Sequence, residues 1–395
     1  MTPAAFSDAA QSLAPPLDLT RDLLARLVAF DSVSDRVNRP LIDWVADRLR
    51  ADGAEAVQVI GDADKAGLIA RFGPAGPGAV VLSGHTDVVP VEAQVWSSDP
   101  FRLRAEGGRL YGRGTTDMKG FLACCLALAP RMATAGLRRP IYFCFSHDEE
   151  TTCAGVLPLI DQLRATLAPG AVALVGEPTD NKPIAQHKGA YGWEVAVRGV
   201  PAHSSQPALG ASAVEIAARL VAWVADRQAG WAAAAGLGPF QPNHTTSHVG
   251  RISGGEAVNI LAQACRFDWE LRTMPGERAA DHRAAFEAEA ARLVAAQPVP
   301  GASVTLEEDY AVPPLAAEPD GAAERLARRL TGVNEAAAGA YSTEAGWFQQ
   351  AGLSTVLCGP GSVAQAHIAD EFIEEAALAR CLDWLGRLIE HQTAD

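Results

Sequence analysis

Polar and apolar residues follow a regular pattern along the first part of the chain. Thr20–Phe30 and Pro40–Arg50 carry apolar residues at helical spacing, and Thr20 stands where a helix N-cap is expected. Short apolar and β-branched runs then predict strands at Ala56–Ile60, Leu68–Phe72, Ala79–Ser83, Ile141–Phe145, Ala171–Val175 and Ser354–Cys358. Several of these runs have no polar position, which is typical of strands covered on both faces. We therefore expect an α/β fold, with a mostly parallel sheet flanked by helices.

The pattern changes between about residues 187 and 311. Shorter elements with alternating positions appear there, in the order Trp193–Arg198 (strand), Ala211–Val224 (helix), Thr246–Ile252 (strand), Cys265–Arg272 (strand), Arg283–Val294 (helix) and Ser303–Glu307 (strand). This order is the ferredoxin-like β-α-β-β-α-β plan. We expect residues 187–311 to be a second domain inserted into a first one, which consists of residues 1–186 and 312–395.

Composition and charge narrow the class of protein. The chain has 395 residues, of which 48% are hydrophobic and 20% charged, as in a globular protein of about two domains. Its 33 basic and 47 acidic residues give a formal charge of −14, which argues against nucleic acid and anionic membranes as partners. The charge is compatible with a cationic or zwitterionic substrate, although a solvated acidic surface explains it more simply.

The expected location is the cytoplasm. The chain has no stretch of about 18 uninterrupted apolar residues, and Met1–Pro16 lacks a basic segment followed by an apolar one. The seven cysteines include no CxxC pair and lie mostly in apolar stretches. They therefore predict reduced cysteines in the core, and not a disulfide framework or a thiolate metal site.

Residues that bind metals follow four of the predicted strands. The segments after these strands are Gly84-His85-Thr86-Asp87, His147-Asp148-Glu149-Glu150, Gly176-Glu177-Pro178 and Gly359-Pro360-Gly361, which leads to His367. A glycine-rich run, Tyr111–Gly120, contains Asp117 and precedes the apolar helix Phe121–Leu128. Because ligands bind beyond the carboxyl ends of the strands in open α/β sheets, we expect these side chains to meet.

The types of residue indicate a catalytic metal site. Imidazole and carboxylate without thiolate favour catalytic zinc or a similar divalent ion over structural zinc, and this set is enough for two ions that share one carboxylate. Asp87 is placed to accept the proton of the imidazole nitrogen of His85 that does not bind metal. A single histidine or glutamate at a strand end is more often a surface or capping residue, so the prediction depends on their occurring together.

The same residues lie in stretches that resemble the dinuclear zinc aminoacylase and carboxypeptidase family. The matching stretches are Ser83–Pro90, Gly112–Gly120, Asp148–Glu150, Gly176–Thr179, Gly359–Gly361 and Ala366-His367. The resemblance covers nearly the whole chain. It implies a zinc-exopeptidase-like catalytic domain and a homodimer that forms through residues 187–311.

The resemblance also implies a role for each residue of the set. It implies two Zn²⁺ ions per chain, for which Co²⁺ or Mn²⁺ can substitute. The terminal ligands would be His85, Glu150, Glu177 and His367. Asp117 would bridge the ions, and Glu149 would be the general base. In this pair of adjacent glutamates one carboxylate holds metal, while the other takes a proton from water and returns it to the leaving amine.

Three residues of the second domain match the family pattern. The resemblance implies that His203 stabilises the oxyanion in the active site of the other subunit; the alternative is a turn histidine hydrogen-bonded to Ser204 or Ser205. Asn259 and Arg272 resemble the family's substrate-binding pair. Arg272 is suited to a bidentate contact with a substrate carboxylate, although a buried structural ion pair is the alternative.

Within the family, the chain is most similar to the acetylornithine deacetylases. The similarity lies in His187-Lys188-Gly189, Pro201–Ser205 with Leu209-Gly210, and Ser342–Gly346. Such enzymes hydrolyse N2-acetylornithine to ornithine and acetate in arginine biosynthesis. Glu344 is a candidate partner for the distal ammonium of this substrate, with a carboxylate at a helix start as the alternative. Two departures from the pattern, His147 and Thr151-Thr152-Cys153, lie beside the base and bear on the acyl pocket.

Two other functions stay open. One is a different amidohydrolase of the same family, such as a succinyl-diaminopimelate desuccinylase, a general N-acyl-amino-acid aminoacylase or a dipeptidase, which would keep all five ligands. The other is a non-catalytic binding protein that retains the fold. The complete ligand set and Glu149 count against the second function.

Overall fold

The computed structural model describes residues 17–394, so the prediction for Met1–Pro16 lies outside the described residues. The helices are α1 (Leu17–Val28), α2 (Arg39–Ala51), α3 (Gly120–Thr134), α4 (Leu157–Thr166), α5 (Ala213–Ala234), α6 (Ala279–Ala295), α7 (Ala322–Thr331), α8 (Ala345–Gln350) and α9 (Glu375–Thr393). The strands are β1 (Ala56–Gly61), β2 (Ala66–Phe72), β3 (Val80–His85), β4 (Arg104–Glu106), β5 (Arg109–Tyr111), β6 (Ile141–Ser146), β7 (Val172–Pro178), β8 (Ile184–His187), β9 (Ala190–Arg198), β10 (Thr246–Gly254), β11 (Ala264–Arg272), β12 (Ser303–Val312), β13 (Ala337–Gly339), β14 (Ser354–Gly359) and β15 (Phe372–Glu374).

The larger sheet has eight strands in the order β1-β2-β6-β3-β7-β14-β8-β13. Its central strands β6, β3, β7 and β14 run parallel, whereas the pairs β1–β2, β2–β6 and β14–β8 are antiparallel. The predicted α/β fold is confirmed, and the sheet is mixed with a parallel centre. Because the central strands point the same way, their carboxyl ends lie along one edge.

Helices cover both faces of this sheet. α1, α2, α3, α7 and α9 pack on one face, and α4 and α8 pack on the other. Successive side chains of β3 therefore enter different clusters: Val80 and Leu82 join the first, and Val81 joins the second. Burial on both faces explains why the strand sequences contain so few polar positions.

The start of α1 differs from the sequence prediction. The described helix already includes Leu17, so Thr20 lies inside it, and the N-cap prediction is wrong. Thr20 is buried on the same face as Leu23, Leu24 and Leu27, because residues three, four and seven positions apart share one side of a helix.

A second sheet contains four antiparallel strands in the order β10-β11-β9-β12. The sequence order of its strands with α5 and α6 is the predicted β-α-β-β-α-β, and the two helices contribute to one core with the sheet. The chain enters and leaves this unit at neighbouring points, where His187 and Leu315 exchange two backbone hydrogen bonds of 3.0 and 3.2 Å. Among residues 17–394, no helix has the length and apolar character needed to cross a membrane.

Candidate metal centre

The five predicted ligands lie together at the carboxyl edge of the parallel strands. They come from β3 (His85), the loop before α3 (Asp117), the turn after β6 (Glu150), β7 (Glu177) and the loop after β14 (His367). The ligand atoms of His85, Asp117 and Glu177 lie within 4.8 Å of one another, and so do those of Asp117, Glu150 and His367. The structure thus forms two groups of ligand atoms that share one carboxylate.

Asp117 is the residue that joins the two groups. Its Oδ1 lies 3.1 Å from Nε2 of His85, and its Oδ2 lies 3.3 Å from Nε2 of His367. Nε2 of His367 also lies 3.0 Å from Oε2 of Glu150. Each oxygen of Asp117 therefore faces a different histidine, which is the arrangement that a bridging carboxylate requires.

Buried carboxylates make the site strongly acidic. Burial, together with the charge of Asp117, raises the pKa of Glu150 to about 7. Burial also raises the pKa of Glu177 and Glu149 well above the usual value, and the neighbouring carboxylates add to the effect. So many carboxylates in a site of low dielectric constant repel one another unless cations compensate their charge.

The donor atoms fit divalent metal ions. Oε1 of Glu150 and Oε1 of Glu177 are buried, and neither has a hydrogen-bond partner among the described residues. A buried polar atom without a partner is costly, and coordination to a cation would satisfy both atoms. The two groups offer only nitrogen and oxygen donors, which suit zinc, cobalt and manganese.

The contact between His85 and Asp87 differs in detail from the prediction. Nδ1 of His85 lies 2.9 Å from the backbone carbonyl oxygen of Asp87 and 3.5 Å from its carboxylate Oδ1. The carboxylate accepts hydrogen bonds from the hydroxyl of Ser34 at 2.7 Å and from the backbone N–H groups of Glu149 and Glu150 at 3.2 Å each. Asp87 therefore links the end of β3 to the turn that carries Glu149 and Glu150.

Glu149 lies beside the ligands and faces a cysteine. The thiol of Cys153 lies 3.3 Å from the carbonyl oxygen of Glu149 and 3.4 Å from its Oε1. His147 lies two residues before Glu149, and its Nδ1 is 3.0 Å from the carboxylate of Asp148. It belongs to neither ligand group. Both departures noted in the sequence thus lie in the turn that holds the predicted base.

Sequence reasoning did not single out Glu371 as part of the site. Its carboxylate is 1% exposed and hydrogen-bonds the backbone of the loop that carries Asp117. The sequence offers little to identify it, because the loop is more than 250 positions away and only folding brings the two segments together. Its position four residues after His367 is the one available hint.

His203 and Asn259 lie on neighbouring loops of the smaller unit, and both are exposed. The N–H of Ser204 donates to the carbonyl oxygen of Asn259 at 3.0 Å, and Nδ1 of His203 lies 2.8 Å from the hydroxyl of Ser205. This is the turn arrangement considered as the alternative for His203. Within residues 17–394, no hydrogen bond or ion pair joins His203 or Asn259 to the five ligand residues.

Arg272 lies at the end of β11 and is half-buried. Its Nε and Nη2 lie 3.1 and 3.2 Å from the two carboxylate oxygens of Glu270. The same carboxylate accepts a hydrogen bond of 2.9 Å from the hydroxyl of Tyr310. In this structure the guanidinium makes the bidentate contact expected of it, but with a carboxylate of the same chain.

Glu344 is buried beneath the end of β3. Its Oε1 accepts a hydrogen bond from the hydroxyl of Ser83 at 2.5 Å, and its Oε2 accepts one from Ser146 at 2.6 Å. It directly precedes α8, in agreement with the alternative of a carboxylate at a helix start. Burial raises the pKa of Glu344.

With this geometry established, comparison with known proteins identifies the family. The model of peptidase family M20/M25/M40 matches residues 81–391, a range that includes the whole ligand set. The chain belongs to the M20 family. As an M20 protein it is a metal-dependent hydrolase, in agreement with the two ligand groups.

Relatives and solved structures agree with this membership. The chain is 35% identical to an acetylornithine deacetylase from Myxococcus xanthus, over 95% of this chain and 98% of that protein. Its fold is similar to that of aminopeptidase PepT from Bacillus cereus, with a TM-score of 0.71, 20% identity and coverage of 96% and 100%. It is also similar to the YXEP protein of Bacillus subtilis, described as a dinuclear metal-binding peptidase of the M20 family, with a TM-score of 0.63, 14% identity and coverage of 94% and 96%.

Proposed function

We propose that this M20 protein removes the acetyl group from N2-acetylornithine by hydrolysis, giving ornithine and acetate. The observation that carries the proposal is the position of Asp117 between two groups of ligand atoms. The choice of substrate is supported by relatives that are acetylornithine deacetylases, at 31% and 35% identity over most of the chain. We further propose that the reaction takes place in the cytoplasm and serves arginine biosynthesis.

We assign one ion to His85, Asp117 and Glu177 and the other to Asp117, Glu150 and His367. Zinc is our first choice, with cobalt or manganese as substitutes, because all of these ions accept nitrogen and oxygen donors. When bound, the two ions lower the pKa of a water molecule and withdraw electron density from the amide carbonyl. Asp117 would fix the separation of the ions because each of its oxygens faces one group.

Glu149 handles the proton in this proposal. Its carboxylate takes a proton from water as the water oxygen forms a bond to the acetyl carbon, and it gives that proton to the ornithine nitrogen as the C–N bond breaks. In the metal-free site, burial and the neighbouring carboxylates raise the pKa of Glu149 above the usual value of a glutamate, as is typical of a general base. Glu149 ends as it began, since the proton that it removes from water leaves on the amine, and the second proton of that water is lost when the acetic acid ionises to acetate.

We propose that residues 187–311 are a dimerisation domain, and that residues 1–186 and 312–395 form the catalytic domain. His203 of one subunit would then stabilise the oxyanion in the active site of the other. Exposed apolar side chains beside His203 support an interface here: Val258 is fully exposed, and Ile260, which forms a β-bridge with His203, is 43% exposed.

We assign Asn259 and Arg272 to the amino-acid part of the substrate, with Arg272 bound to its carboxylate. Since Arg272 is paired with Glu270 in this structure, substrate would have to compete with that contact. Glu344 remains our candidate for the distal ammonium. An unchanged KM for N2-acetylornithine in Glu344→Gln would exclude that last role.

The proposal is tested by measuring kcat/KM on zinc-loaded protein. N2-acetylornithine, N-succinyl-diaminopimelate and N-acetylmethionine are compared, and we expect the highest value for N2-acetylornithine. Glu149→Ala should abolish the activity, whereas Glu335→Ala, which changes an exposed glutamate, should retain it. A higher kcat/KM for one of the other substrates would indicate that the protein is a different amidohydrolase of the M20 family.

One observation favours that second candidate. Cys153, which belongs to one of the departures from the acetylornithine deacetylase pattern noted in the sequence, lies 3.4 Å from Oε1 of Glu149. A side chain this close to the base bears on the space for an acyl group. A desuccinylase, aminoacylase or dipeptidase would keep the ligand set, and the same panel of substrates, extended with a dipeptide, identifies it.

A further inference from the structure

A single buried carboxylate fixes the loop that carries Asp117. Oε1 of Glu371 accepts hydrogen bonds from the backbone N–H of Thr116 at 2.8 Å and of Asp117 at 3.1 Å. Its Oε2 accepts one from the N–H of Gly114 and one from Nη1 of Arg113, both at 2.9 Å. Four donors therefore converge on one side chain, and three of them are backbone groups of the loop.

Arg113 extends this network to the segment that carries His367. Its buried guanidinium donates to the carbonyl oxygens of Ile368 and Pro90, both at 3.3 Å, and to the side chain of Gln94. Gln94 in turn donates from Nε2 to the carbonyl oxygen of His367 at 2.7 Å. The carbonyl oxygens of His367 and of the next residue, Ile368, are thus tied to Arg113, the first through Gln94 and the second directly.

We propose that the Glu371–Arg113 pair is a positioning device that sets the separation of Asp117 and His367, and with it the affinity for the metal ion that these two residues share. The inference deepens the proposed function and rests on its metal site. Asp117 and His367 lie on loops, so neither gains a fixed position from a strand of the large sheet. The buried pair supplies that position from both sides.

The pattern of hydrogen bonds separates this role from that of an ordinary ion pair. An ion pair that served only the stability of the fold would need the contact between Glu371 and Arg113 alone. Here the second oxygen, Oε1, is used entirely for Thr116 and Asp117. One carboxylate oxygen of Glu371 therefore contacts Arg113, and the other contacts the backbone at Asp117, the bridging residue.

Two substitutions disturb this division in different ways. Glu371→Gln removes the charge and places an NH₂ group against N–H donors, whichever way the amide is turned. Glu371→Asp keeps the charge opposite Arg113 but shortens the side chain by one methylene, so it cannot reach both sets of donors. Leu388→Ala is the control, because it opens a cavity beside α9 in the core and removes none of the hydrogen bonds of Glu371 or Arg113.

The experiment measures zinc content after desalting and zinc affinity by competition with a chromophoric chelator, together with the Tm of the metal-free protein. We expect two zinc ions in the wild type. Both Glu371 variants should retain the ion of His85 and Glu177 and bind the other about 10–100-fold more weakly. Leu388→Ala should have a lower Tm and still bind two ions with the affinity of the wild type.

Other results would overturn the inference. If the wild type binds two ions and the Glu371 variants bind them equally well, the pair does not position the site, although the proposed function stands. An equal loss of zinc in Leu388→Ala would assign the effect to stability in general. A wild type that binds no zinc would overturn the proposed function as well. Should Glu371→Gln fail to fold, Glu371→Asp decides by the same criteria.

Discussion

Nδ1 of His85 lies 2.9 Å from the backbone carbonyl oxygen of Asp87. A carbonyl oxygen can only accept, so this contact places the ring proton on Nδ1 and leaves Nε2 as the nitrogen that faces Asp117. The tautomer needed for metal binding through Nε2 is therefore fixed by the main chain. The carboxylate of Asp87 is left for another task, the two N–H contacts with the turn of Glu149 and Glu150.

We predict that Asp87→Asn weakens metal binding or activity by about 10–100-fold. An asparagine can accept from one of the two N–H groups, but its NH₂ group then faces the other. Zinc content and kcat/KM measure the effect. Ser34→Ala, which removes only the hydroxyl bond to the same carboxylate, should have a smaller effect. An effect as large as that of Asp87→Asn would show that the two backbone contacts are not what matters.

Substitutions of the adjacent residues Glu149 and Glu150 should have different effects on metal content and activity. Glu149→Gln removes the base but no ligand, so we expect two zinc ions per chain and a loss of kcat of about 10²–10⁴-fold. Glu150→Gln removes a predicted ligand, so we expect loss of one ion. Metal analysis and steady-state kinetics on both variants check this. Loss of zinc from Glu149→Gln in the same proportion would make Glu149 a ligand.

For Arg272 we predict an effect on KM. Loss of a charged bidentate contact with the substrate carboxylate in Arg272→Met should raise KM by about 10–100-fold while kcat changes little. Glu270→Gln weakens the competing contact within the chain and should leave KM unchanged or lower it. If Glu270→Gln raises KM as much as Arg272→Met does, the arginine serves the ion pair and not the substrate.

His187 should make the fold less stable in acid. Burial lowers its pKa to about 4, against an ordinary value of 6.5, so in this pH range His187 binds fewer protons in the folded chain than in the unfolded one. The stabilisation is complete above pH 6.5 and is lost as the pH falls towards 4, by up to roughly 3 kcal/mol. Urea unfolding of the metal-free wild type and of His187→Asn at pH 7 and 4.5 isolates this contribution, because the buried carboxylates, whose raised pKa values act in the opposite direction, are the same in both. Between pH 7 and 4.5 the wild type should lose more stability, or gain less, than the variant. An equal difference in wild type and variant would contradict the assignment.

The sequence predicted the buried strands because burial on both faces leaves an unbroken apolar run, as in Val80–Leu82. It also predicted the order of elements in the smaller unit, since alternation along its strands is preserved. The short strands β4, β5 and β15 were not predicted, because three residues carry too little periodicity. The N-cap at Thr20 was wrong because a hydroxyl can also be buried within a helix.

The convergence of the ligands could be predicted because each of four lies at or after the end of a parallel strand, and such ends share one edge. The residues that hold the ligands in place could not be predicted. Glu371 reaches Asp117 across 254 positions, and Ser34 reaches Asp87 across 53. The use of the carbonyl oxygen of Asp87 by His85 is likewise a matter of backbone geometry, for which the side chains give no signal.

The most direct test is an anomalous-scattering map at the zinc edge from crystals of zinc-loaded protein. We predict two peaks about 3.5–4 Å apart on either side of the Asp117 carboxylate, one bound by His85 and Glu177 and the other by Glu150 and His367. A single peak, or peaks bound by other residues, would contradict the account.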